Sequence, residues 1–248
     1  MRSVWHGLAG LIVCCAPLTA RAEPGLADEV YGAGVTKGQA EFELRAGRLH
    51  DGAGDGEWAA IAEAGYGVTD WWRPALLAEW EREAGGKSAL EAVAVENAFD
   101  LTATRSWPVH FGLYAEYELN VNSAPDKAEL KLLAQRERGP WDARLNLIAE
   151  REVGGGASNV AEFEYATQIT YRLNDDLKLG VQGFGDLGTD DDFGSLGDRP
   201  HYWGPMAEFE TLETSKGELE IQVGYLFGFG ENEADGQPRI KLEWETKF

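Results

Sequence analysis

Cysteine is nearly absent from this chain, and the place where it occurs is informative. Cys14 and Cys15 are the two cysteines among 248 residues. Both fall in an opening segment that has a basic start, an apolar middle at 4–17 and a small-x-small sequence at 20–22. This order is typical of a cleaved secretory signal peptide, which we assign to residues 1–22. The mature chain would then contain no disulfide bond.

Positive charge is also scarce. The chain has 22 Lys and Arg against 43 Asp and Glu, which gives a formal net charge of −21. Nucleic acids and anionic lipid surfaces attract basic proteins, so this excess of acid argues against binding to either of them. No run of about 18 apolar residues, the length of a helical membrane span, occurs after the opening segment. Such a chain can cross a membrane only as a closed β-sheet.

The sequence is rich, however, in alternation with a period of two. Residues 239–248 place Ile240, Leu242, Trp244 and Phe248 on one face of a strand and charged side chains on the other. Similar segments of about ten residues, a length that suits tilted strands in a bilayer, recur after turn residues from residue 38 onward. We count twelve of them. We therefore predict an all-β fold, an antiparallel transmembrane β-barrel over residues 38–248.

The links between the predicted strands indicate how the barrel is oriented. An even number of strands places both termini on the periplasmic side, where short turns are expected, and the longest link, residues 187–200, faces outward. Two features have more than one reading. Glu96 and Asn97 indicate a bulge or a register change in the fourth strand. Residues 23–37 show little periodicity and form either a periplasmic segment or a plug in the lumen.

The two faces of the predicted strands differ in chemistry. If the apolar face meets lipid, the charged face must line the lumen, and acids outnumber bases there. Surplus carboxylate creates a negative potential that concentrates cations and repels anions. We predict that the lumen is lined by Glu41, Glu43, Glu79, Glu81, Glu116, Glu118, Glu129, Lys131, Arg144, Glu162, Glu164, Arg172, Glu208 and Glu243.

The same charged side chains could instead fill the bore. A barrel of this size encloses a modest interior, and long Glu, Arg and Lys side chains can occupy it or pair across strands. Three interpretations therefore stay open. They are a weakly cation-selective channel for small solutes, a non-conducting structural or binding barrel, and a soluble periplasmic β-protein.

Aromatic residues cluster near the ends of the predicted strands. Indole rings favour the membrane–water interface, so we assign Trp58, Trp71, Trp72, Trp107, Trp141 and Trp203 to it. The ending on Trp244 and Phe248, with apolar residues at alternate positions, resembles the C-terminal assembly signal of bacterial outer-membrane barrels. That resemblance implies that the last strand is recognised by the barrel-assembly machinery and that the barrel contacts outer-membrane lipid.

Sequence signals for catalysis and for metal binding are weak. No serine and histidine stand in a recognisable nucleophile motif, and abundant carboxylates do not by themselves specify a hydrolase. No histidine cluster or CxxC pair marks a transition-metal site. The acidic run at residues 190–192 lacks the spacing of a calcium-binding loop. We therefore expect no enzyme activity, no cofactor and no metal site.

Two turn sequences carry a family resemblance. Residues 64–71, Ala-Gly-Tyr-Gly-Val-Thr-Asp-Trp, and residues 171–180, Tyr-Arg-Leu-Asn-Asp-Asp-Leu-Lys-Leu-Gly, resemble periplasmic turns of Gram-negative outer-membrane barrels. They are most similar to poorly characterised barrels grouped with the phenol meta-cleavage pathway proteins. The resemblance implies a porin-like outer-membrane barrel that passes small molecules, aromatic ones among them. The many glutamates on the lumen face are a departure from the resemblance, because a lumen for an apolar solute would need fewer charged side chains.

Overall fold

Twelve antiparallel strands close into a single barrel in the structure of this chain, a computed structural model. It describes residues 23–103, 105–214, 217–230 and 234–247, so the predicted signal peptide and Phe248 lie outside the described residues. The strands are β1 (Gln39–Arg48), β2 (Trp58–Tyr66), β3 (Trp72–Arg82), β4 (Ala89–Asp100), β5 (His110–Asn120), β6 (Asp126–Arg138), β7 (Trp141–Val153), β8 (Ala161–Asn174), β9 (Leu177–Thr189), β10 (His201–Thr214), β11 (Gly217–Phe229) and β12 (Gly236–Lys247).

Each strand pairs with its neighbours in the sequence, and β1 pairs with β12 to close the ring. In this closing pair Phe42 lies opposite Trp244, and Glu43 lies opposite Glu243. The apolar face and the charged face therefore continue across the closure without a change of side. A closed ring has no edge strand with unpaired backbone groups. The predicted fold, including the number of strands, is confirmed.

The two ends of the barrel differ in their links. We call the end where β1 begins and β12 ends the terminal end, and the opposite end the loop end. The loop end carries residues 190–200, which include a short 3-10 helix at Leu196–Asp198. This link is shorter than predicted because β9 continues to Thr189 before the chain leaves the sheet. At the terminal end, residues 101–109 form a longer link than the short turns expected on that side.

The predicted irregularity at Glu96 and Asn97 is wrong. Both residues pair in regular register with β3 and with β5, and the register shift in the β3–β4 pairing lies at Glu79 and Trp80 instead. Asn97 can occupy the outer face because its Oδ1 accepts a hydrogen bond from Trp72 Nε1 at 3.0 Å. The polar residue that suggested a break is thus accommodated by a neighbouring indole.

Large apolar side chains cover the outside of the barrel. Leu132, in the middle of β6, is 59% exposed and Phe42 is 53% exposed, whereas the adjacent Leu133 and Glu43 are 2% and 4% exposed. Proteins that fold in water bury such side chains, so this outer band is suited to lipid. Among the described residues, no helix is long and apolar enough to cross a membrane.

The predicted interface tryptophans all lie at or next to strand ends. At the terminal end they are Trp71, Trp72, Trp107 and Trp141, and at the loop end they are Trp58 and Trp203. Several pack on a second ring. The Trp141 ring centroid lies 4.8 Å from that of Tyr171, and the Trp71 centroid lies 6.2 Å from that of Phe99. Contact of these two belts with lipid headgroups stays a prediction.

We predict that Leu132→Arg weakens folding into lipid vesicles by about 2–4 kcal/mol, because the outer band would place its charge in hydrocarbon. Urea unfolding of the vesicle-inserted protein, followed by tryptophan fluorescence, measures the change. Leu132→Ala is the matched control, since it removes the same apolar contacts without adding a charge. Equal stability of the two variants would show that this face does not meet lipid.

Candidate functional site

The segment before β1 runs through the inside of the barrel, from the loop end to the terminal end. Near the loop end, Gln237 Nε2 of β12 donates a hydrogen bond to Pro24 O at 3.1 Å. Further along, the Tyr31 N–H donates to Asn146 Oδ1 of β7 at 2.8 Å, and the Asn146 amide donates back to Tyr31 O at 3.0 Å. Residues 24–37, called the lumenal segment below, thus bind strands that lie far apart around the ring.

Glycines make room for the lumenal segment. A Cβ added at Gly47 would lie 1.6 Å from Leu26 O, and a Cβ added at Gly67 would lie 1.9 Å from Thr36 O. Both distances are far below van der Waals contact, so a larger residue at either position must displace the segment's backbone. Within the segment, Gly25 has a φ of +85°, a left-handed conformation that glycine adopts without strain.

Three apolar clusters hold the lumenal segment against the wall. Leu26 and Ala27 pack with residues of β2, β3 and β4, and Val30 packs with residues of β7 to β11. Tyr31 and Ala33 pack with residues of β5 and β6. Burying a side chain of valine or leucine size stabilises a structure by roughly 1.5–3 kcal/mol. The segment therefore fits a surface that is complementary to it on several sides.

A network of buried charges ties the middle of the lumenal segment to the wall. Glu29 lies 2.9 Å from Lys241 Nζ and 3.5 Å from Arg45 Nη1. Buried charges are tolerated when they are paired, and removing one partner leaves the others uncompensated. The cations of the network are Arg45, Arg73 and Lys241, and its carboxylates are Glu29, Glu41, Glu43, Glu63, Glu96 and Glu243.

The charge on Glu29 depends on this docking. Burial raises the pKa of Glu29, but the Lys241 ammonium and the Arg45 guanidinium outweigh it and hold that pKa below its ordinary value of 4.5. A released segment in water would regain the ordinary pKa. The docked segment therefore binds fewer protons than the released segment. The stabilisation of docking by Glu29 is complete above about pH 4.5 and is lost as the pH falls.

An open cavity of about 560 Å³ lies beside the lumenal segment in the terminal half of the barrel. Residues 29–32 and 34–36 of the segment line one side of it, and the rest of the wall comes mainly from the terminal halves of the strands. Acidic side chains outnumber basic ones two to one in this lining. The acids are Glu29, Glu41, Asp100, Glu137, Glu208, Glu210, Glu218, Glu220, Glu243 and Glu245, and the bases are Arg73, Arg144, Lys178, Arg239 and Lys241.

One wall of the cavity surrounds a lysine with carboxylates. Lys178 Nζ pairs with Glu208, and it lies 3.2 Å from Glu210 and 3.6 Å from Glu220. These residues come from β9, β10 and β11, so the group spans neighbouring strands. The arrangement shows that this wall accommodates a primary ammonium among three carboxylates.

A row of glutamines continues the same wall. Gln182 Nε2 donates to Gln168 Oε1 at 2.7 Å and to Gln222 Oε1 at 2.8 Å, and Gln222 donates to Glu208 at 3.4 Å. Both amide hydrogens of Gln182 are used in this way. Its Oε1 is buried and, among the described residues, has no hydrogen-bond partner. The row therefore leaves one spare acceptor in the lining of the cavity.

The predicted lumen residues separate into groups along the barrel. Glu41, Arg144, Glu208 and Glu243 line the terminal-end cavity, and Glu43 belongs to the central charge network. Lys131 lies 3.0 Å from Glu129, and its Nζ is 4.6 Å from the centre of the Tyr114 ring, whose hydroxyl donates to Glu116. Farther from the cavity are Glu79, Glu81, Glu118, Glu162 and Glu164, in the loop half of the barrel. Arg172 is exposed at the terminal end and pairs with Glu210 at 3.2 Å.

Sequence reasoning missed the apolar part of the inner face. Ile61, Leu77, Leu133, Ile148 and Phe184 are each at most 8% exposed, and all five belong to the clusters that contact the lumenal segment. The rule that apolar side chains face lipid therefore failed at these positions. A signal was present, because several strands carry apolar residues on both faces, a pattern that indicates burial on both sides.

These features define a class of protein. A closed antiparallel barrel of twelve strands, with an apolar outer face and a charged interior, has the fold of bacterial outer-membrane barrels. No family model matches the sequence, and no curated protein matches it.

Solved structures share this fold. An outer membrane channel from Pseudomonas putida F1 aligns with a TM-score of 0.61 and 14% identity, over 92% of this chain and 100% of that one. The NanC porin aligns with a TM-score of 0.55 and 13% identity, over 84% of this chain and 100% of that one. The KdgM porin in complex with disordered oligogalacturonate aligns with a TM-score of 0.54 and 9% identity, over 84% and 99%.

We predict that Gly47→Ala displaces the first half of the lumenal segment, because the new Cβ would overlap Leu26 O. Hydrogen–deuterium exchange measures this, and the peptide that covers residues 24–31 should exchange at least several-fold faster than in the wild type. Gly155→Ala is the control, since a Cβ there meets nothing within 4 Å. Unchanged protection of residues 24–31 in the Gly47→Ala variant would mean that the segment does not lie against β1.

We predict that acid loosens the lumenal segment as the pH falls below about 4.5, because Glu29 takes up a proton more readily in the released segment than in the docked one. A nitroxide on Gly34→Cys reports this by its mobility, since a Cβ there meets nothing within 4 Å. With Glu29→Gln the label should already be more mobile at pH 7, and its mobility should change less between pH 6 and pH 3. The same pH profile with and without Glu29→Gln would contradict the ion pairs assigned to Glu29.

Proposed function

We propose that the protein is an outer-membrane channel for small solutes that prefers cations. The observation that carries this proposal is the cavity of about 560 Å³ at the terminal end, where ten carboxylates and five cationic side chains form the lining. A surplus of carboxylate lowers the local potential, which concentrates cations and repels anions. The likeness in fold to an outer membrane channel and to porins is consistent with a role in passage.

We also propose how the chain is divided between these roles. Residues 1–22 direct export and are removed, residues 23–37 act as a plug, and the remainder forms the barrel. The hydrogen bonds, apolar clusters and ion pairs of the lumenal segment support the role of a plug. Small ions would pass beside the docked segment, and larger solutes would require the segment to move.

The same segment favours a second candidate function, a non-conducting barrel that binds a partner or serves a structural role. Three cations and six carboxylates occupy the middle of the lumen together with Tyr31. The centre of the Tyr31 ring lies 4.7 Å from the centre of the Tyr114 ring. If these side chains leave no continuous path, the cavity would be a binding pocket open at one end. Conductance separates this candidate from the first one.

Several narrower assignments belong to the same proposal. The last strand, with Trp244 and Phe248, would be recognised by the barrel-assembly machinery. The resemblance to barrels of the phenol meta-cleavage type suggests aromatic solutes, but the charged lining of the cavity favours polar and positively charged ones. We assign no enzyme activity, because the carboxylates of the lining are engaged in ion pairs or face the cavity without a nucleophile motif.

We predict that the purified protein conducts in a planar bilayer. Under a KCl gradient, the sign of the reversal potential should show that cations pass more readily than anions. The double variant Glu137→Gln/Glu210→Gln should bring the permeability ratio of cation to anion closer to one, since both carboxylates line the cavity. Asp191→Asn is the matched control, because it removes the same kind of charge from an exposed loop outside that lining.

A variant that lacks residues 24–36 completes this test. If the lumenal segment is a plug, its removal should raise the conductance several-fold while the barrel keeps its heat-modifiable migration on gels. Anion preference of the wild type would contradict the proposed selectivity. An absence of conductance both with and without the segment would favour the non-conducting barrel.

A further inference from the structure

We propose that the terminal-end cavity is a binding site for a linear organic polycation that carries primary ammonium groups, a polyamine. This inference rests on the proposed function, since it names the class of cation that the acidic lining selects. Three observations carry it: the lysine held among carboxylates, a second group of carboxylates nearby, and the spare acceptor of Gln182.

The Lys178 group shows the geometry that this wall offers to an ammonium. Its Nζ has Glu208, Glu210 and Glu220 as neighbours, with the last two at 3.2 Å and 3.6 Å. An ammonium has three N–H donors that radiate from a compact charge, so three converging carboxylates are complementary to it. The barrel thus already contains one example of the interaction that we propose for the ligand.

A second group of three carboxylates lies on the adjoining strands β1 and β12. Carboxylate oxygens of Glu41, Glu243 and Glu245 lie within 4.8 Å of one another. Arg73 pairs with Glu41 at 2.6 Å, and Lys241 pairs with Glu243 at 2.6 Å. Both of these cations are shared with other carboxylates of the central network. Among the described residues, Glu245 enters no ion pair, and its carboxyl group is hydrogen-bonded to that of Glu243. We therefore assign the place of a further cation to the side of this group where Glu245 lies, since no basic side chain of the described residues occupies it.

The buried acceptor of Gln182 points to a ligand with N–H donors. The side chain is 2% exposed and lines the cavity, and its own donors are used by Gln168 and Gln222. A buried carbonyl oxygen without a donor costs roughly 1–3 kcal/mol, and an ammonium donor would remove that cost. The amide row is linked through Gln222 to Glu208, so the acceptor and the Lys178 group belong to one wall.

The spacing of these features favours a ligand with several charges. Gln182 lies on β9 and the second carboxylate group on β12 and β1, so at least three strand spacings, about 14 Å along the wall, separate them. One ammonium or one metal ion cannot reach both places. An extended chain with an ammonium at each end and apolar methylenes between them can do so.

Isothermal titration of the detergent-solubilised barrel with spermidine tests the proposal. The wild type should bind one spermidine, and Glu41→Gln/Glu245→Gln should lower the affinity at least tenfold. Gln182→Met should lower it by about tenfold, the effect of losing one charge-assisted hydrogen bond. The control is Glu81→Gln/Glu118→Gln, which removes the same charge from side chains outside the cavity lining. Heat-modifiable migration on gels shows that each variant still forms a barrel.

Four results would overturn the proposal. They are an absence of spermidine binding, an equal loss of affinity in the control variant, equal affinity for a monoamine such as butylamine, and tighter binding of Mg²⁺ than of spermidine. A negative result for the polyamine site can be distinguished from a negative result for the proposed channel function. Cation-selective conductance without spermidine binding would leave the channel standing, and spermidine binding without conductance would leave only the site.

Discussion

Pairing between β1 and β12 is the contact on which the rest of the structure depends. In an apolar surrounding, each backbone N–H or C=O at a sheet edge would lack a partner and cost several kcal/mol. Nine residue pairs, from Gln39 with Lys247 to Gly47 with Arg239, remove both edges at once. Once the ring is closed, every second side chain must face outward and the rest must share an enclosed interior.

The enclosed interior determines how the charges are arranged. Side chains that would be hydrated on a soluble protein face one another across a narrow bore, where burial makes an unpaired charge expensive. The lumenal segment is part of the solution, since Glu29 bridges Arg45 and Lys241 while Leu26, Val30 and Tyr31 cover apolar wall. The acidic cavity at the terminal end stays open beside the segment. The segment therefore shapes the cavity to which we assign the proposed function.

Strand prediction succeeded where one face was clearly apolar and the other clearly charged. In β5, Phe111 and Tyr117 are exposed on the outside as alternation required, and Tyr114 is buried inside. Prediction failed where a polar residue that suggested a break in a strand is hydrogen-bonded to a side chain of another strand. Asn97 suggested a break, yet Trp72 bonds to it and the pairing continues. The end of β9 at Thr189 was also missed, because the glycines of that strand resemble a loop in sequence.

The sequence by itself determined the number of strands, the closed antiparallel barrel and the excess of acid, because each of these follows from composition or from a period of two along the chain. The export signal at residues 1–22 stays a prediction. Only the tertiary structure decided what fills the lumen. Tyr31 binds Asn146, 115 positions away, and Gly25 binds Arg239, 214 positions away. Such contacts depend on the curvature and register of the whole ring, which no local pattern of residues encodes.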